Sequence, residues 1–264
     1  MTAKTSQVDS THGVDRSELT QRLQMLLQPA LFKDYGPNGL QVEGKSRVRR
    51  LVTGVTASLA LIDAAIDAQA DAILVHHGLF WRGQDGRVVG WMRQRLARLL
   101  AHDVNLYAYH LPLDAHAELG NNAQLAARLG VKRWQGEAGS FGDQQLGWIG
   151  DAAFESAAAL ASHVKERLDR TPLLVEGDGR QIKTVALCTG GAQGYFESAI
   201  AAGADVFITG EISEPQAHYA RECGVAFIAC GHHASERYGV QAVGQRLADE
   251  LGVQHQFVDI PNPA

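Results

Sequence analysis

Histidines and carboxylates follow three apolar runs of this sequence at the points where those runs end. His76 and His77 end the run AILVHH, Asp114 follows NLYAYHLPL, and His232 and Glu236 follow AFIACG. Neutral imidazole and ionised carboxylate are ligands that zinc, manganese, iron and nickel accept in proteins. Because active sites of open α/β sheets lie at the carboxyl ends of the strands, these endings predict a metal centre.

A single catalytic metal with an open coordination position does not need as many as five protein ligands. His232 and Glu236 are four residues apart at the start of a predicted helix, so their side chains share one helical face. Three imidazoles and two carboxylates suit two metals that share a bridging carboxylate. We therefore expect two divalent metal ions per chain (Zn, Mn, Fe or Ni), because such ligands do not select one of these metals.

Each of these features also has a structural explanation when it is taken alone. A pair of adjacent histidines is typical of a surface or a helix cap, and the His-x-x-x-Glu spacing is typical of a solvated helical face. Asp114 would equally serve as a cap for the helix predicted to begin near Asn121. The shared position at predicted strand ends favours the metal centre over these separate explanations.

The composition of the chain limits its class. The 264 residues are 45% hydrophobic, which allows one large domain or two smaller ones. A net charge of −5 without a basic stretch argues against binding of duplex nucleic acid. No apolar run approaches the roughly 20 residues that span a membrane, and the N-terminus lacks the apolar core of a signal peptide. Three cysteines without motif spacing favour a cytoplasmic protein.

The order of predicted elements indicates a βαβ unit near the start of the chain. An amphipathic helix is predicted at residues 17–27. A strand at 51–56, an alanine-rich helix at 58–69 and a second strand at 71–77 follow it. Because a helix connects the two strands, they are expected to be parallel.

This βαβ unit recurs at an offset of 134 residues, which aligns Asp71 with Asp205 and His77 with Glu211. The second copy has a predicted strand at 185–188, a helix at 195–202 and a second strand at 205–209. The predicted fold class is therefore α/β. It consists of two pseudo-equivalent α/β lobes from an internal duplication, with the metal site in the cleft between them.

The expected domain boundaries follow from this duplication. Residues 1–14 are polar and are expected to form a disordered tail. Residues 15–130 are assigned to the first α/β lobe and residues 131–231 to the second. The last predicted helix and strand, within residues 232–264, are expected to return to the first lobe.

Five short segments of the chain form a specific combination of motifs. They are YGPNGLQVEG at 35–44, VTGVTAS at 52–58, VHHGLFW at 75–81, GHHASER at 231–237 and DIPNPA at 259–264. Together they resemble the GTP cyclohydrolase I type 2 homologue family, the YbgI-like dinuclear metal-binding proteins. The resemblance runs from about residue 17 to the C-terminus. Ser235 stands where the family motif has threonine, a change that leaves the ligands intact.

The resemblance implies a dinuclear centre built from the same side chains that the strand ends single out. Its metal ligands would be His76, His77, Asp114, His232 and Glu236, and Glu236 would bridge the two ions. It also implies two α/β lobes, with the C-terminal segment completing the first. A toroidal homohexamer with metal sites facing an interior cavity is a further implication.

The resemblance further implies a metal-dependent hydrolase of a purine nucleotide. Two cations about 3.5–4 Å apart would activate a water for attack, here on the imidazole carbon of guanine in GTP, with eventual loss of formate. His110 or His218 would protonate the leaving nitrogen. Glu211 would orient the purine, because it occupies the repeat position of His77.

Other functions stay open at this point. The protein would alternatively be a non-enzymatic metal-binding or scaffold assembly, or a hydrolase of phosphoester or peptide substrates, since the same cation pair serves these reactions. The chain has no Gly-x-x-x-x-Gly-Lys-Ser/Thr loop for a triphosphate. The glycine run at 190–194 would either hold a phosphate through backbone N–H groups or form a tight turn.

Overall fold

The computed structural model of the protein describes residues 13–264, so residues 1–12 of the expected tail lie outside the described part. In chain order the strands are β1 (Val14–Asp15), β2 (Gly39–Val42), β3 (Arg47–Val48), β4 (Arg50–Thr56), β5 (Ala72–His77), β6 (Asn105–Ala108), β7 (Lys132–Arg133), β8 (Ser140–Phe141), β9 (Gly147–Phe154), β10 (Leu173–Val175), β11 (Ile182–Leu187), β12 (Val206–Thr209), β13 (Ala226–Ala229) and β14 (Gln254–Phe257). The helices are α1 (Arg16–Leu27), α2 (Leu59–Asp67), α3 (Gly90–Ala101), α4 (Leu111–Ala115), α5 (Asn121–Leu129), α6 (Ala157–Leu168), α7 (Phe196–Ala201), α8 (Glu214–Cys223) and α9 (His232–Leu251). Across residues 13–264, none of these helices has both the length and the apolar character needed to cross a membrane.

The chain divides into two compact units, which confirms the α/β fold class in each of them. The first unit comprises the described residues up to Pro112 together with Val240–Ile260, and the second comprises Leu113–Gly239 together with Pro261–Ala264. The expected boundary at residue 130 differs from this division. The difference arises because α5 contributes buried apolar side chains to the core of the second unit.

Strand β1 includes Val14, the last residue of the expected tail. Val14 and Asp15 pair antiparallel with Val48 and Arg47, so β1 and β3 form a two-stranded sheet in the first unit. Val14 is buried there. Because an apolar side chain gains free energy by leaving water, this single valine fixes the entry to α1.

The sheet of the first unit has the strand order β14-β4-β5-β6-β2. Strands β14, β4, β5 and β6 run parallel, and β2 is antiparallel to β6 at the edge. Strand β14, from the C-terminal part of the chain, thus lies in the sheet of the first unit beside β4. Parallel strands need apolar residues on both faces, and Val52, Ile73, Val75 and Leu106 are accordingly buried in this core.

The connection β4-α2-β5 is the predicted βαβ unit, and local signals in the sequence explain it. Ser58 caps α2, since its Oγ accepts a hydrogen bond from the N–H of Leu61 at 3.2 Å. Gly54 lets α2 approach β4 closely, because a Cβ there would lie 2.5 Å from the Leu61 side chain. Strand β5 then ends on His76 and His77.

The sheet of the second unit has the strand order β10-β13-β12-β11-β9-β7, and β8 pairs with β9. Its centre consists of three parallel strands, β11, β12 and β13, while β10 and β9 flank them in antiparallel orientation. Helices α5 and α6 cover it with buried residues such as Leu125, Leu160 and Val164. Residues Cys188 and Cys230, which follow β11 and β13, are buried.

Matching hydrogen bonds at the predicted offset are consistent with an internal duplication. In the first unit the Asp71 carboxylate accepts from the backbone N–H groups of Arg49 and Arg50 at 2.9 and 3.2 Å. In the second unit Asp205 accepts from the N–H groups of Lys183 and Thr184 at 2.9 and 3.0 Å. The same residue type therefore ties the beginning of one parallel strand to the beginning of the next in both copies.

We predict that Asp71→Ala lowers the free energy of unfolding by about 1–3 kcal/mol, because the N–H groups of Arg49 and Arg50 lose their shared charged acceptor. Burial raises the pKa of Asp71, but hydrogen bonds from Lys45, Arg49 and Arg50 outweigh it and lower the pKa below its ordinary 3.8. The ionised form thus adds stability above that value, which is lost as the pH falls through the folded-state pKa.

Urea denaturation of both proteins between pH 7 and pH 3 measures this effect. The stability gap between wild type and Asp71→Ala should narrow below about pH 4. The exposed Asp85→Ala serves as control, since Asp85 bonds to nearby Arg87 on the surface, and we expect it to leave the free energy of unfolding nearly unchanged. A constant gap across this pH range would contradict the assignment.

Candidate metal centre

Two neighbouring parallel strands of the first unit bring three histidines together. Strand β5 ends on His76 and His77, and His110 follows β6 after Tyr109. One nitrogen of each of these three rings lies within 4.8 Å of the others. The ring centroids of His76 are 4.5 Å from His77 and 5.0 Å from His110. This histidine cluster can therefore hold a metal ion.

Each ring of the histidine cluster is oriented through its Nδ1 atom. His76 Nδ1 lies 3.0 Å from the carbonyl oxygen of Tyr109, and His77 Nδ1 lies 3.1 Å from the Thr56 hydroxyl. His110 Nδ1 lies 2.7 Å from a carboxylate oxygen of Asp34. Because a carbonyl oxygen only accepts, Nδ1 of His76 carries the proton. That tautomer leaves the lone pair of Nε2 available to a metal ion, an arrangement that is found where outer hydrogen bonds orient the ligands of a metal site.

Asp34 is a buried carboxylate that sequence reasoning did not identify. Its oxygens accept from His110, from the Asn38 side chain at 2.8 Å and from the N–H of Leu111 at 2.9 Å. Burial raises the pKa of Asp34, but the hydrogen bonds from His110 and Asn38 outweigh this effect and lower the pKa to about 2. The ionised Asp34 therefore fixes the ring of His110. Its only sequence signal is its place beside the 35–44 motif.

Asp114 lies in the second unit, on the short helix α4. Pro112 explains the helix, because proline suits a first helical turn. The buried Asp114 accepts through Oδ1 from the Asn121 side chain at 2.8 Å and from the Thr189 hydroxyl at 3.2 Å. These donors hold the carboxylate in one orientation.

His232 and Glu236 lie in the first turns of α9, as the spacing predicts. His232 Nε2 is 3.2 Å from Glu236 Oε2, and His232 Nδ1 is 2.6 Å from Glu211 Oε1. Burial lowers the pKa of His232, but the adjacent carboxylates Glu236 and Glu211 outweigh it and raise the pKa to about 9. Glu236 is buried, so α9 places a carboxylate next to the His232 ring, shielded from solvent.

The glycine run after β11 forms a tight turn around Glu236. Gly190 has a φ of +71°, and a Cβ there would lie 2.0 Å from Glu236 Oε1. Its N–H donates to the Ser235 hydroxyl at 3.0 Å. Gly191 lies against His232, since a Cβ there would be 3.5 Å from its ring. These contacts favour the turn interpretation of the run over a phosphate loop.

The three other candidate side chains occupy different surroundings. His110 belongs to the histidine cluster, and Glu211 bonds to His232. His218 is exposed on α8, where its Nε2 lies 2.8 Å from Glu214 Oε1, one helical turn away. Within residues 13–264, His218 belongs to none of the groups that could hold a metal.

Cys188 adjoins the acidic side chains but is disfavoured as a metal ligand. Burial and the carboxylates of Asp114 and Glu236 raise the pKa of the Cys188 thiol well above its ordinary value. Because the thiolate is the form that binds metal, this shift favours the carboxylates over the thiol as ligands. The donors that remain are imidazoles with oriented rings and buried carboxylates with their own hydrogen-bond donors. This chemistry fits divalent metals.

The chain belongs to the family described as Duf34/NIF3 (NGG1p interacting factor 3), whose family model matches residues 14–263. A curated relative from Pseudomonas aeruginosa, named GTP cyclohydrolase 1 type 2 homolog, is 51% identical over 249 residues, which cover 94% of this chain and 98% of that protein. The family resemblance inferred from the five motifs is thereby confirmed.

Solved structures agree with this membership. Protein ybgI, described as of unknown function, is 47% identical, with a TM-score of 0.90 over 95% of this chain and 100% of that chain. The protein TTHA1606 from Thermus thermophilus is 33% identical, with a TM-score of 0.83 over 95% of this chain and 100% of its own. The α/β architecture is therefore that of known members of the family.

We predict that Gly190→Ala weakens metal binding about tenfold or more, because the new methyl group displaces the Glu236 carboxylate. Competition of metal-loaded protein with a chromophoric chelator measures this affinity. Gly194→Ala is the matched control in the same turn, since a Cβ there meets nothing within 4 Å. Equal affinities for the two variants would show that Glu236 is not a ligand.

We predict that Asp34→Ala costs about 1–3 kcal/mol of unfolding free energy, because His110, Asn38 and the Leu111 N–H lose a buried acceptor. The comparison variant is Glu214→Ala, which removes an exposed carboxylate from a histidine and should change stability by less than about 0.5 kcal/mol. Chemical denaturation monitored by circular dichroism measures both values. Similar losses in the two variants would contradict the structural role of Asp34.

Proposed function

We propose that the protein is a dinuclear-metal hydrolase that opens the imidazole ring of a purine nucleotide. Its metal ligands are His76, His77, Asp114, His232 and Glu236, with Glu236 as the bridging carboxylate. The observation that carries this proposal is the outward anchoring of the ligand rings. His76 through Tyr109 and His232 through Glu211 each engage Nδ1 with an oxygen acceptor, the outer hydrogen bond that metal-binding histidines use.

The carboxylates support the same assignment. Asp114 Oδ1 accepts from Asn121 and Thr189, so we assign Oδ2 to the metal. Gly190 leaves room for Glu236 Oε1 where a side chain would displace it. Five ligands shared by two ions leave coordination positions for water and substrate, which a closed structural site does not provide. This favours catalysis over a purely structural metal site.

The proposed reaction assigns a role to each group. When bound, the two cations lower the pKa of a water and stabilise the negative charge that develops in the transition state. His110, held by ionised Asp34, donates a proton from Nε2 to the leaving ring nitrogen. We assign this role to His110 rather than to His218, because His110 adjoins His76 and His77 whereas His218 faces solvent. We assign Glu211 to the orientation of His232, to which it is bonded, instead of to contact with the purine.

The nucleotide substrate is proposed from the names of the relatives. The Pseudomonas aeruginosa protein is named as a homolog of a GTP cyclohydrolase, which makes GTP the first substrate to test. Attack on the imidazole carbon of a purine requires an activated water and a proton donor. The proposed arrangement of His110 beside the metal ligands would supply both.

We also propose the assembly and compartment that the family resemblance implies. The chain would form a toroidal homohexamer with its metal sites facing the interior. Cys223 is exposed, and all three cysteines are free thiols. Exposed thiols persist in a reducing compartment, so we place the protein in the cytoplasm, with a small-molecule substrate.

We predict that metal-loaded protein releases formate from GTP and that Glu236→Ala lowers this activity at least about a hundredfold. Mass spectrometry of the products, with metal content determined on the same samples, measures both effects. Metal-stripped protein should also be inactive. The matched control is Glu214→Ala, an exposed glutamate that should retain full activity. Unchanged GTP from protein carrying two metals per chain would reject GTP as the substrate.

The role of His110 has its own readout in this assay. His110→Ala should keep both metals and lose about 10²–10⁴-fold in turnover, the usual contribution of a general acid. His218→Ala should retain turnover if the assignment is correct. The reverse pattern would transfer the proton-donor role to His218.

A further inference from the structure

An open cleft of about 380 Å³ lies in the first unit. Residues 34–37 and 80–82 line it, and its aromatic side chains are Tyr35, Phe80 and Trp81. The Trp81 ring is 5.0 Å from His110, at an interplanar angle of 90°, and 6.0 Å from His77. This aromatic cleft therefore adjoins the histidine cluster directly.

The two loops that form the aromatic cleft are tied to each other. The N–H of Arg82 donates to the carbonyl oxygen of Tyr35 at 2.6 Å, and Arg82 Nη2 donates to the carbonyl oxygen of Asp34 at 2.8 Å. Gly36 allows this approach, because a Cβ there would lie 2.4 Å from the carbonyl oxygen of Phe80. The cleft is thus preformed, so a ligand entering it loses little affinity to ordering of the loops.

The exposure of the Tyr35 ring indicates binding rather than packing, and the Trp81 ring beside it is only partly buried. Tyr35 is 58% exposed although it adjoins the fixed loop 80–82. Aromatic faces stack on planar rings irrespective of their exact substituents, and nucleic-acid-binding proteins use them in this way for bases. Arg82 is exposed at the same cleft and adds a positive charge with donors suited to phosphate. The lining thus combines a surface for a planar ring with a group for an anion.

We propose that the aromatic cleft binds the base of the nucleotide through Tyr35 and Trp81, while Arg82 binds its phosphate. The ligand class is a planar heteroaromatic ring that bears an anionic group. This inference rests on the proposed function, since it assigns the substrate of that centre to a cleft beside His77 and His110. A base stacked on Trp81 would lie beside His77 and His110. Arg82 would then hold the phosphate in place of a phosphate-binding glycine loop.

Calorimetric titration of metal-loaded protein with guanosine, guanosine 5′-monophosphate and ribose 5-phosphate tests this proposal. Tyr35→Ala and Trp81→Ala should each weaken guanosine binding about tenfold or more, which is about 1.4 kcal/mol. Trp81→Phe should restore most of the affinity, because it retains an aromatic ring. Arg82→Ala should weaken binding of the monophosphate more strongly than binding of guanosine, because its Nη2 also ties the two loops of the cleft. Ribose 5-phosphate should bind far more weakly than the monophosphate.

The control is Trp91→Ala, since Trp91 is a tryptophan of the first unit that is exposed and lies on α3 outside the cleft. Circular dichroism and metal content establish that each variant is folded and loaded. Guanosine binding within twofold of wild type in both alanine variants would overturn the proposal, as would the absence of guanosine binding to wild type. Guanosine binding that depends on Tyr35 in a protein that leaves GTP intact would uphold the cleft and reject the proposed reaction.

Discussion

The parallel pairing of β5 with β6 is the constraint on which the histidines of the first unit depend. Its register sets Val75 opposite Ala108, and the Tyr109 N–H continues the ladder by donating to the Val75 carbonyl at 3.1 Å. The next carbonyl along β6, that of Tyr109, then accepts from His76 Nδ1. A slip of one residue would reverse the faces to which the side chains point, so the strand register and the ring orientation are set together.

The second unit repeats this arrangement with different chemistry. The Cys230 N–H donates to the Thr209 carbonyl at 2.8 Å, and Thr209 is the residue that the 134-residue offset aligns with Val75. Here the ladder leads into α9, whose first residue is His232. Glu211 takes the repeat position of His77 and orients His232. One backbone framework thus positions an imidazole in one copy and a supporting carboxylate in the other.

Much of this framework could be predicted from the sequence, because apolar runs and helical spacing are local signals. The strand that ends at His77, the strand that begins near Asp205 and the helix that carries His232 were predicted in this way. The hydrogen-bond partners of the proposed ligands were not predicted, since they reach the site only through the tertiary fold. Asp34 is 76 residues from His110 in sequence, and no local pattern marks it as a buried carboxylate. The same reason hides Thr189, which contacts Asp114 across 75 residues.

The central claim is that oriented imidazoles and buried carboxylates form a two-metal centre. Anomalous diffraction from crystals of zinc-loaded protein tests it most directly. The account predicts two anomalous peaks per chain, with Nε2 atoms of His76, His77 and His232 as ligands and Glu236 between the ions. A single peak, coordination through Nδ1, or zinc bound away from Asp114 and Glu236 would contradict it.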